Sequence, residues 1–403
     1  MVACVVAFLA AMVWGQAPAS APASAGVTMV SGESFQGRLT AVDGSSARFL
    51  TPDGARTVPI RDLWTVQVRP GVDVLASGGA VIALRAPAGG MMAVRKLLVT
   101  DGRITGENDL LGGFRMDVSM AEAIYLPPAG KPPSLCRDRH VELALPAARH
   151  DFLVAADSKG NWVPVPGALK GIAAGKVTFD VQGQDRTIDL ADVRIIQLAR
   201  LAATAPVWAG GELAGVDGSR VPFASLTLAG GKLSVSGPAL EARAASAASI
   251  AAIRFGSDRV AYLSDLPAAK VVEAGTFEAA FPFRRDRAAA GGPIRLGGKT
   301  YARGLGMHSR CEVTYDLGGR YAVLAAVAGI DQAGGGRGNA TVHILGDGKD
   351  RIEPLTLAGG DKPIPIRCDV AGVKTLTIRV DFGPDKVDVG DHVSLGDARL
   401  IKP

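Results

Sequence analysis

The stretch Gly298–Ser309, which reads GKTYARGLGMHS, opens the region whose pattern decides the fold. Short apolar runs follow it, among them CEVTYDL from Cys311 and TVHILG from Thr341. Turn residues separate these runs at intervals of about 8 to 12 residues, a spacing typical of antiparallel strands in two packed layers. The pattern therefore predicts a C-terminal β-sandwich over residues 276–403.

Several short motifs recur in a fixed order along this region. They are Tyr301 with Gly304-Leu305-Gly306-Met307-His308; Tyr315-Asp316-Leu317 with Gly319-Arg320-Tyr321; Gly329-Ile330-Asp331; Gly346-Asp347-Gly348-Lys349; and Asp391-His392 with Asp397-Ala398-Arg399-Leu400. In this order they resemble the NPCBM family of carbohydrate-binding modules. The resemblance covers less than a third of the chain. It implies a jelly-roll-like β-sandwich with a non-catalytic, sugar-binding role.

Two histidines of these motifs, His308 and His392, are the candidate sugar-binding residues, with Asp391, Asp331 and Asp397 as companions. A neutral imidazole and a carboxylate together donate to and accept from neighbouring sugar hydroxyls. The alternative interpretation is structural, with both imidazoles holding loops through hydrogen bonds to backbone carbonyls. We assign no cofactor and no metal ligand, although carboxylate and carbonyl oxygens around Asp331 and Asp391 would suit calcium.

Aromatic residues matter because a ring often stacks on the apolar face of a bound sugar. NPCBM members commonly carry a tryptophan shortly after the Asp-His pair, where this chain has Leu395, and no tryptophan follows Trp208. Trp162, beside the turn Lys159-Gly160-Asn161, is the residue predicted to form an exposed aromatic platform. The missing tryptophan favours a second hypothesis, in which the sandwich has lost its sugar site.

Four weakly similar segments precede the sandwich, each with strand patterns separated by turns such as Asp101-Gly102 and Asp217-Gly218. They run from Gly26 to Val68, Val94 to Leu126, Asp151 to Leu198 and Val207 to Phe255. Asp-Gly pairs supply the positive φ of tight hairpins. We predict tandem small β-barrel-like repeats of the SH3 or Sm type, hence an all-β protein. Helical periodicity is weak, and the alanine-rich stretch Ala239 to Ala252 is the best helix candidate.

Domain boundaries follow from composition. The proline-rich segment 127–133 predicts an extended linker between a first repeat pair, 26–126, and a second, 134–270. Residues 1–25 join an apolar run to an Ala/Pro/Ser stretch, which predicts a signal peptide and tether. We therefore expect a secreted, periplasmic or cell-surface protein, with cleavage or anchoring left open. Cys311 and Cys368 are predicted either to pair or to be two small buried residues.

Composition narrows the class of function. The formal charge is +5 over 403 residues and the basic residues are scattered, so we predict no nucleic-acid partner. No Gly-x-Ser-x-Gly or HExxH motif occurs, and acidic residues fall mostly in Asp-Gly turns, so we predict that the chain is not an enzyme.

The sequence thus predicts an exported carbohydrate-binding or adhesion protein whose partner is a polysaccharide or glycoconjugate. The alternative is a structural envelope scaffold whose repeats bind envelope proteins. A third hypothesis is a glycoside-active enzyme, which would need two carboxylates brought together by the repeats.

Overall fold

The computed structural model describes residues 24–69, 75, 79–85, 89–146, 149–157, 159–199, 210–230, 232–237, 240–242, 247–274, 281–332 and 337–403. Over these residues the chain is nearly all β, as predicted, with a single α-helix. None of the helical segments in the described ranges has the length and apolarity needed to span a membrane. The predicted signal segment, residues 1–25, lies almost wholly outside the described residues, as does Trp208.

Strands of the first half fall into two groups. The first group is β1 Ala25–Met29, β2 Ser34–Val42, β3 Ser46–Thr51, β4 Gly54–Pro59 and β5 Leu63–Gln67. The second is β6 Ala80–Leu84, β7 Met91–Thr100, β8 Arg103–Asn108, β9 Gly112–Asp117 and β10 Ala121–Tyr125. A short 3-10 turn precedes the last strand of each group, at Ile60–Asp62 and Val118–Met120.

Two further groups follow the helix α1, Ser134–Leu143. The third group is β11 Asp151–Ala156, β12 Trp162–Ala173, β13 Lys176–Val181, β14 Gln184–Asp189 and β15 Val193–Gln197. The fourth is β16 Gly211–Gly215, β17 Arg220–Phe223, β18 Ser225–Ala229, β19 Lys232–Gly237, β20 Leu240–Ala242 and β21 Ile250–Phe255, with a 3-10 turn at Ala247–Ser249.

In each group the first strand pairs antiparallel with the last, so the group closes on itself. The closing pairs are β1 with β5, β6 with β10, β11 with β15, and β16 with β21. Pairing of β5 with β21 joins the first group to the fourth, and pairing of β10 with β15 joins the second to the third. Pairings of β7 with β17 and of β9 with β20 then connect these two halves into one 21-stranded sheet. The SH3- or Sm-like identity of the groups and their predicted division at 127–133 stay predictions.

Local sequence explains the hairpins of these groups. In β3 the buried Ala47 and Phe49 alternate with outward-facing Arg48, the period-2 pattern of a half-buried strand. At the β7–β8 turn both Asp101 and Gly102 have positive φ, 49° and 68°, as a two-residue hairpin turn of the I′ type requires. These elements form because side-chain alternation and turn chemistry agree.

The helix prediction was wrong. The described part of 239–252 contains β20, a 3-10 turn and the start of β21, in which Ile253 and Phe255 are buried on either side of Arg254. This alternation, together with pairing to β16 and β5, outweighs the helix propensity of alanine. The actual helix, α1, starts directly after Pro133 and is held by His140, whose ring contacts Tyr125 Oη and Gln197 Oε1 at 3.0 and 2.6 Å.

The C-terminal region forms the predicted two-sheet sandwich. Its strands are β22 Val260–Tyr262, β23 Lys270–Glu273, β24 Arg284–Arg285, β25 Ile294–Leu296, β26 Lys299–Tyr301, β27 Gly304–Met307, β28 Cys311–Asp316, β29 Val323–Ile330, β30 Asn339–Gly346, β31 Lys349–Asp350, β32 Leu355–Ala358, β33 Ile364–Asp369, β34 Thr375–Phe382 and β35 Val393–Ile401. One sheet runs β24-β27-β35-β29-β33, with β22 on β35, and the other β23-β28-β34-β30-β31, with β32 on β30. β22 and β23 lie upstream of the predicted start at residue 276.

The sandwich core consists of the inward faces of both sheets, with Val313 and Ile378 from one sheet and Leu324 and Leu395 from the other. Cys311 and Cys368 lie in different sheets, and both are buried free thiols. Of the two sequence-based alternatives for these cysteines, the structure therefore shows the buried, unpaired one.

A small junction connects the sandwich to the first strand group. The buried Trp64 of β5 packs against Tyr262 of β22, with ring centroids 5.8 Å apart, and the Arg399 guanidinium lies 4.7 Å from the indole centroid. Arg259 pairs with Asp62 at 2.9 Å beside them. A tilted aromatic contact and an ion pair thus position the sandwich against β5.

Candidate functional site

The two candidate histidines lie side by side at one rim of the sandwich. His308 directly follows β27, and His392 directly precedes β35. Because Met307 pairs with Val393 in this antiparallel ladder, the residues just beyond that pair are adjacent. The ring centroids are 5.0 Å apart with an interplanar angle of 66°, and each residue is only 7% exposed.

The glycines of the Gly-Leu-Gly element make this arrangement sterically feasible. A Cβ on Gly306 would stand 2.2 Å from the carbonyl oxygen of Arg287, and one on Gly304 would stand 2.3 Å from that of Leu395. Gly304 also has φ of +152°, a conformation that residues with a Cβ rarely adopt. Glycine is therefore required at both positions, because neighbouring backbones approach β27 closely beside the site.

Asp391 lies directly beside His392 and is fully buried. Its Oδ1 accepts the backbone N–H of Asn339 at 3.0 Å, whereas its Oδ2 has no hydrogen-bond partner among the described residues. Burial raises the pKa of this carboxyl to about 6, against the lowering effect of the Asn339 hydrogen bond. Asp391 is therefore a buried acid that titrates in the mildly acidic range.

Asp331, at the end of β29, makes hydrogen bonds behind His392. Its Oδ2 accepts the Ser394 hydroxyl at 2.6 Å and the Arg295 backbone N–H at 3.1 Å, and its own N–H donates to the His392 carbonyl at 2.7 Å. The side chain is fully buried. Asp331 thus ties three strands together behind His392 and is not presented to solvent.

Both imidazoles are held in the neutral form at neutral pH. Burial lowers the pKa of His308 and that of His392, and the neighbouring His392 lowers the His308 value further. His308 Nε2 and His392 Nδ1 are buried and have no hydrogen-bond partner in the described part of the chain. Each neutral ring therefore has one buried ring nitrogen whose hydrogen-bonding capacity is unused within the described residues.

Phe281 covers these imidazoles, and sequence reasoning missed it. Its ring centroid lies 4.7 Å from that of each histidine, tilted by 31° to His308 and by 84° to His392. The side chain is 42% exposed, so one part of the ring contacts the histidines while another faces solvent. The aromatic pair Phe281 and Phe283 marks the start of the motif region in the sequence, but only the fold brings Phe281 over the histidines.

The other predicted residues lie elsewhere. Asp397 accepts a hydrogen bond from Arg399 at 2.7 Å near the junction with Trp64, and its N–H donates to the Arg303 carbonyl. Trp162 is half-buried at the start of β12 and packs against the apolar cluster that includes Tyr125. Of the five predicted sandwich residues, the structure groups His308, His392, Asp391 and Asp331, but not Asp397.

A metal-binding interpretation finds no ligand set among the described residues, where no three His, Cys, Asp or Glu side chains are grouped so as to hold an ion. Asp331 already accepts hydrogen bonds from Ser394 and Arg295. What the site does present is a pair of neutral imidazoles and a buried carboxyl beneath a half-exposed aromatic ring.

The described chain is thus an all-β protein whose terminal two-sheet sandwich carries a polar cluster under a phenylalanine. Residues 259–401 match the model of the NPCBM/NEW2 domain family, which confirms the resemblance predicted for the C-terminal region.

A curated relative is described as "Putative endo-alpha-N-acetylgalactosaminidase" from Renibacterium salmoninarum, 33% identical over 90 residues. The match covers 22% of this chain and only 6% of that protein. Among solved structures, the CBM51 module of Clostridium perfringens GH95 in complex with methyl-galactose is 25% identical, with a TM-score of 0.32, covering 35% of this chain and 99% of that one. The structure of CBM51-2 in complex with GlcNAc and of the INT domains from C. perfringens ZmpB is 20% identical, with a TM-score of 0.33, covering 50% and 45%.

Proposed function

We propose that this chain is an exported, non-catalytic carbohydrate-binding or adhesion protein that contacts a polysaccharide or glycoconjugate through its C-terminal sandwich. The single observation that carries the proposal is the half-exposed Phe281 ring packed against His308 and His392, each of which has a ring nitrogen without a hydrogen-bond partner among the described residues. The match of residues 259–401 to the NPCBM/NEW2 family supports it.

The chemistry of the cluster suits a sugar. The apolar C–H face of a pyranose gains from stacking on an aromatic ring, and Phe281 supplies the ring that the absent tryptophan would have supplied. Rotation of the Phe281 side chain would open the two imidazoles to the hydroxyls of the stacked sugar. A neutral imidazole offers one donor and one acceptor, so two such rings at 5.0 Å can read the orientation of adjacent hydroxyls.

A non-catalytic role agrees with the position of the carboxyl groups. A glycosidase needs two carboxyl groups that face one cleft and reach the scissile bond. Asp331 and Asp391 are both fully buried, and Asp331 is engaged by Ser394 and Arg295. The relative named as a glycosidase matches this chain over only 6% of its own length, so its activity does not bear on this chain.

A second function, a structural envelope scaffold, is favoured by one observation: His308 and His392 are each only 7% exposed. In that case the imidazoles hold the rim loops, and the strand groups upstream bind envelope proteins. Export is part of both proposals and rests on the apolar segment within residues 1–25.

Binding of the full chain to a broad glycan array, followed by titration of the sugars bound, tests the proposal. Phe281→Ala should weaken binding about 2- to 13-fold, the loss of one aromatic contact, and should leave the fold intact because the ring is already half-exposed. His308→Ala and His392→Ala should abolish the signal. His343→Ala is the matched control, because His343 contacts Asp350 and Asp381 on the other sheet. If the wild type bound no glycan on the array, the sugar-binding proposal would fail and the scaffold function would remain.

A further inference from the structure

The loop that follows β34 exposes apolar side chains beside the histidines. Val387 is 46% exposed and Val389 is 74% exposed, one on each side of Asp388. The loop is nevertheless ordered by backbone contacts: the Val387 N–H donates to Asp385 Oδ1 at 3.1 Å, and the Asp391 N–H donates to the Asp388 carbonyl at 3.3 Å. The two valines are therefore held in place without being covered.

Backbone contacts place this loop directly against the site. The His392 N–H donates to the Gly390 carbonyl at 2.7 Å, and the N–H of the neighbouring Asp391 donates to the Asp388 carbonyl at 3.3 Å. Because Asp388 and Gly390 contact the backbones of Asp391 and His392, Val389 between them stands at the edge of the same rim.

Some of the exposed apolar side chains belong to the segments that form this rim. Eleven large apolar side chains are exposed among the described residues, and Phe281, Val387 and Val389 are three of them. Single exposed apolar residues are common on protein surfaces, but several around polar groups mark a ligand-binding surface. Val389 is the most exposed of the eleven. Nothing in the hydrogen bonding of the loop requires valine at either position.

We propose that Val387 and Val389 form an apolar lip that selects sugars carrying a methyl-bearing substituent, either an acetamido group or a 6-deoxy carbon. The inference rests on the proposed sugar binding and goes beyond it by naming the class of ligand. A sugar stacked on Phe281 and hydrogen-bonded to the imidazoles directs its ring substituents outward. A methyl group on such a substituent loses its contact with water against the two valines, whereas a hydroxyl there would be desolvated without a partner.

The expected selectivity is modest and measurable. Burying one methyl group changes affinity about fourfold, and the unmet hydroxyl of the unsubstituted sugar adds to the difference. The wild type should therefore bind N-acetylhexosamines or 6-deoxyhexoses at least about fourfold more tightly than the matching unsubstituted hexoses.

Saturation-transfer NMR and titration of the full chain with matched sugars test this. The pairs are N-acetylglucosamine with glucose, N-acetylgalactosamine with galactose, and 6-deoxygalactose with galactose; they separate the acetamido from the 6-deoxy source. We expect the methyl protons to show the largest saturation transfer. The double variant Val387→Ser/Val389→Ser should bring the affinity ratio close to one while hexose binding persists. Val163→Ser, an exposed valine on β12 away from the site, is the control and should change nothing.

The outcomes separate the two proposals. The apolar-lip proposal fails if the wild type binds sugars without preferring the methyl-bearing ones. It also fails if the double variant keeps the wild-type affinity ratio. Either result leaves the sugar-binding proposal intact. Failure of the wild type to bind any sugar, at concentrations that saturate a known lectin control, overturns both.

Discussion

Replacing Asp391 with asparagine should make the sandwich more stable relative to wild type as the pH rises from about 4 to about 6. Asparagine has nearly the shape of aspartate and keeps a side-chain oxygen that can accept the Asn339 N–H. It removes only the ionisation of a fully buried carboxyl whose second oxygen, Oδ2, has no hydrogen-bond partner among the described residues.

The sign follows from the direction of the pKa shift. Burial raises the folded-state pKa of Asp391 to about 6, while the unfolded chain has the ordinary value near 3.8. Between these two values the folded protein holds a proton that the unfolded chain has lost, so wild-type stability falls as the pH rises. The slope for one group is at most about 1.4 kcal/mol per pH unit. Allowing for solvent screening at the rim, we expect a total difference of about 1 to 2 kcal/mol.

Titration of the neighbouring histidines should cancel in this comparison. The pKa of His308 is lowered by burial and by His392, and is raised by the charge of Asp388; that of His392 is lowered by burial and raised by Asp331. Asp391 is not among these causes. Both imidazoles are present in wild type and in the variant, so the difference between the two proteins reports the change at Asp391.

The assay is hydrogen exchange read by mass spectrometry at about pH 4, 5, 6 and 7, corrected for intrinsic rates, on peptides covering β28 and β34. Asp347→Asn is the matched control. Backbone hydrogen bonds from Thr375 and Lys374 lower the pKa of Asp347, so its contribution is fully present above about pH 4 and is lost only below it. The difference between that variant and wild type should be flat across the window. A flat or falling difference for Asp391→Asn would refute the reasoning.

Two further predictions concern the fold around the site. Gly306→Ala should unfold the sandwich, at a cost above about 4 kcal/mol, because the new Cβ would stand 2.2 Å from the Arg287 carbonyl oxygen. Gly113→Ala is the control: a Cβ there meets open space, so the free energy of unfolding in urea should change little. A stably folded Gly306→Ala variant would contradict the steric argument. Trp64→Ala should lower the free energy of unfolding in urea by about 3 to 5 kcal/mol, because the indole fills the junction between β5 and the sandwich. It should also increase proteolysis near Tyr262. A loss of stability below about 1 kcal/mol would show that the junction is not packed.

Local sequence patterns predicted much of the fold. Side-chain alternation and turn residues predicted an all-β chain, and Asp101-Gly102 has the backbone conformation expected of such a turn. These features are readable because they depend on neighbours along the chain. The helix was missed for the complementary reason: α1 is weakly patterned, and it is held by His140 reaching Tyr125 and Gln197.

Four of the five sandwich residues singled out from the sequence motifs lie in one cluster, because His308 and His392 flank two strands that pair. The position of Phe281 over both rings and the exposure of Val389 were decided by the tertiary structure alone. Antiparallel pairing of β27 with β35 joins residues far apart in the chain, and no local propensity encodes which loop then lies beside which. For this protein, the sequence by itself determined the strands and the polar groups of the site, and packing between distant segments decided what covers them.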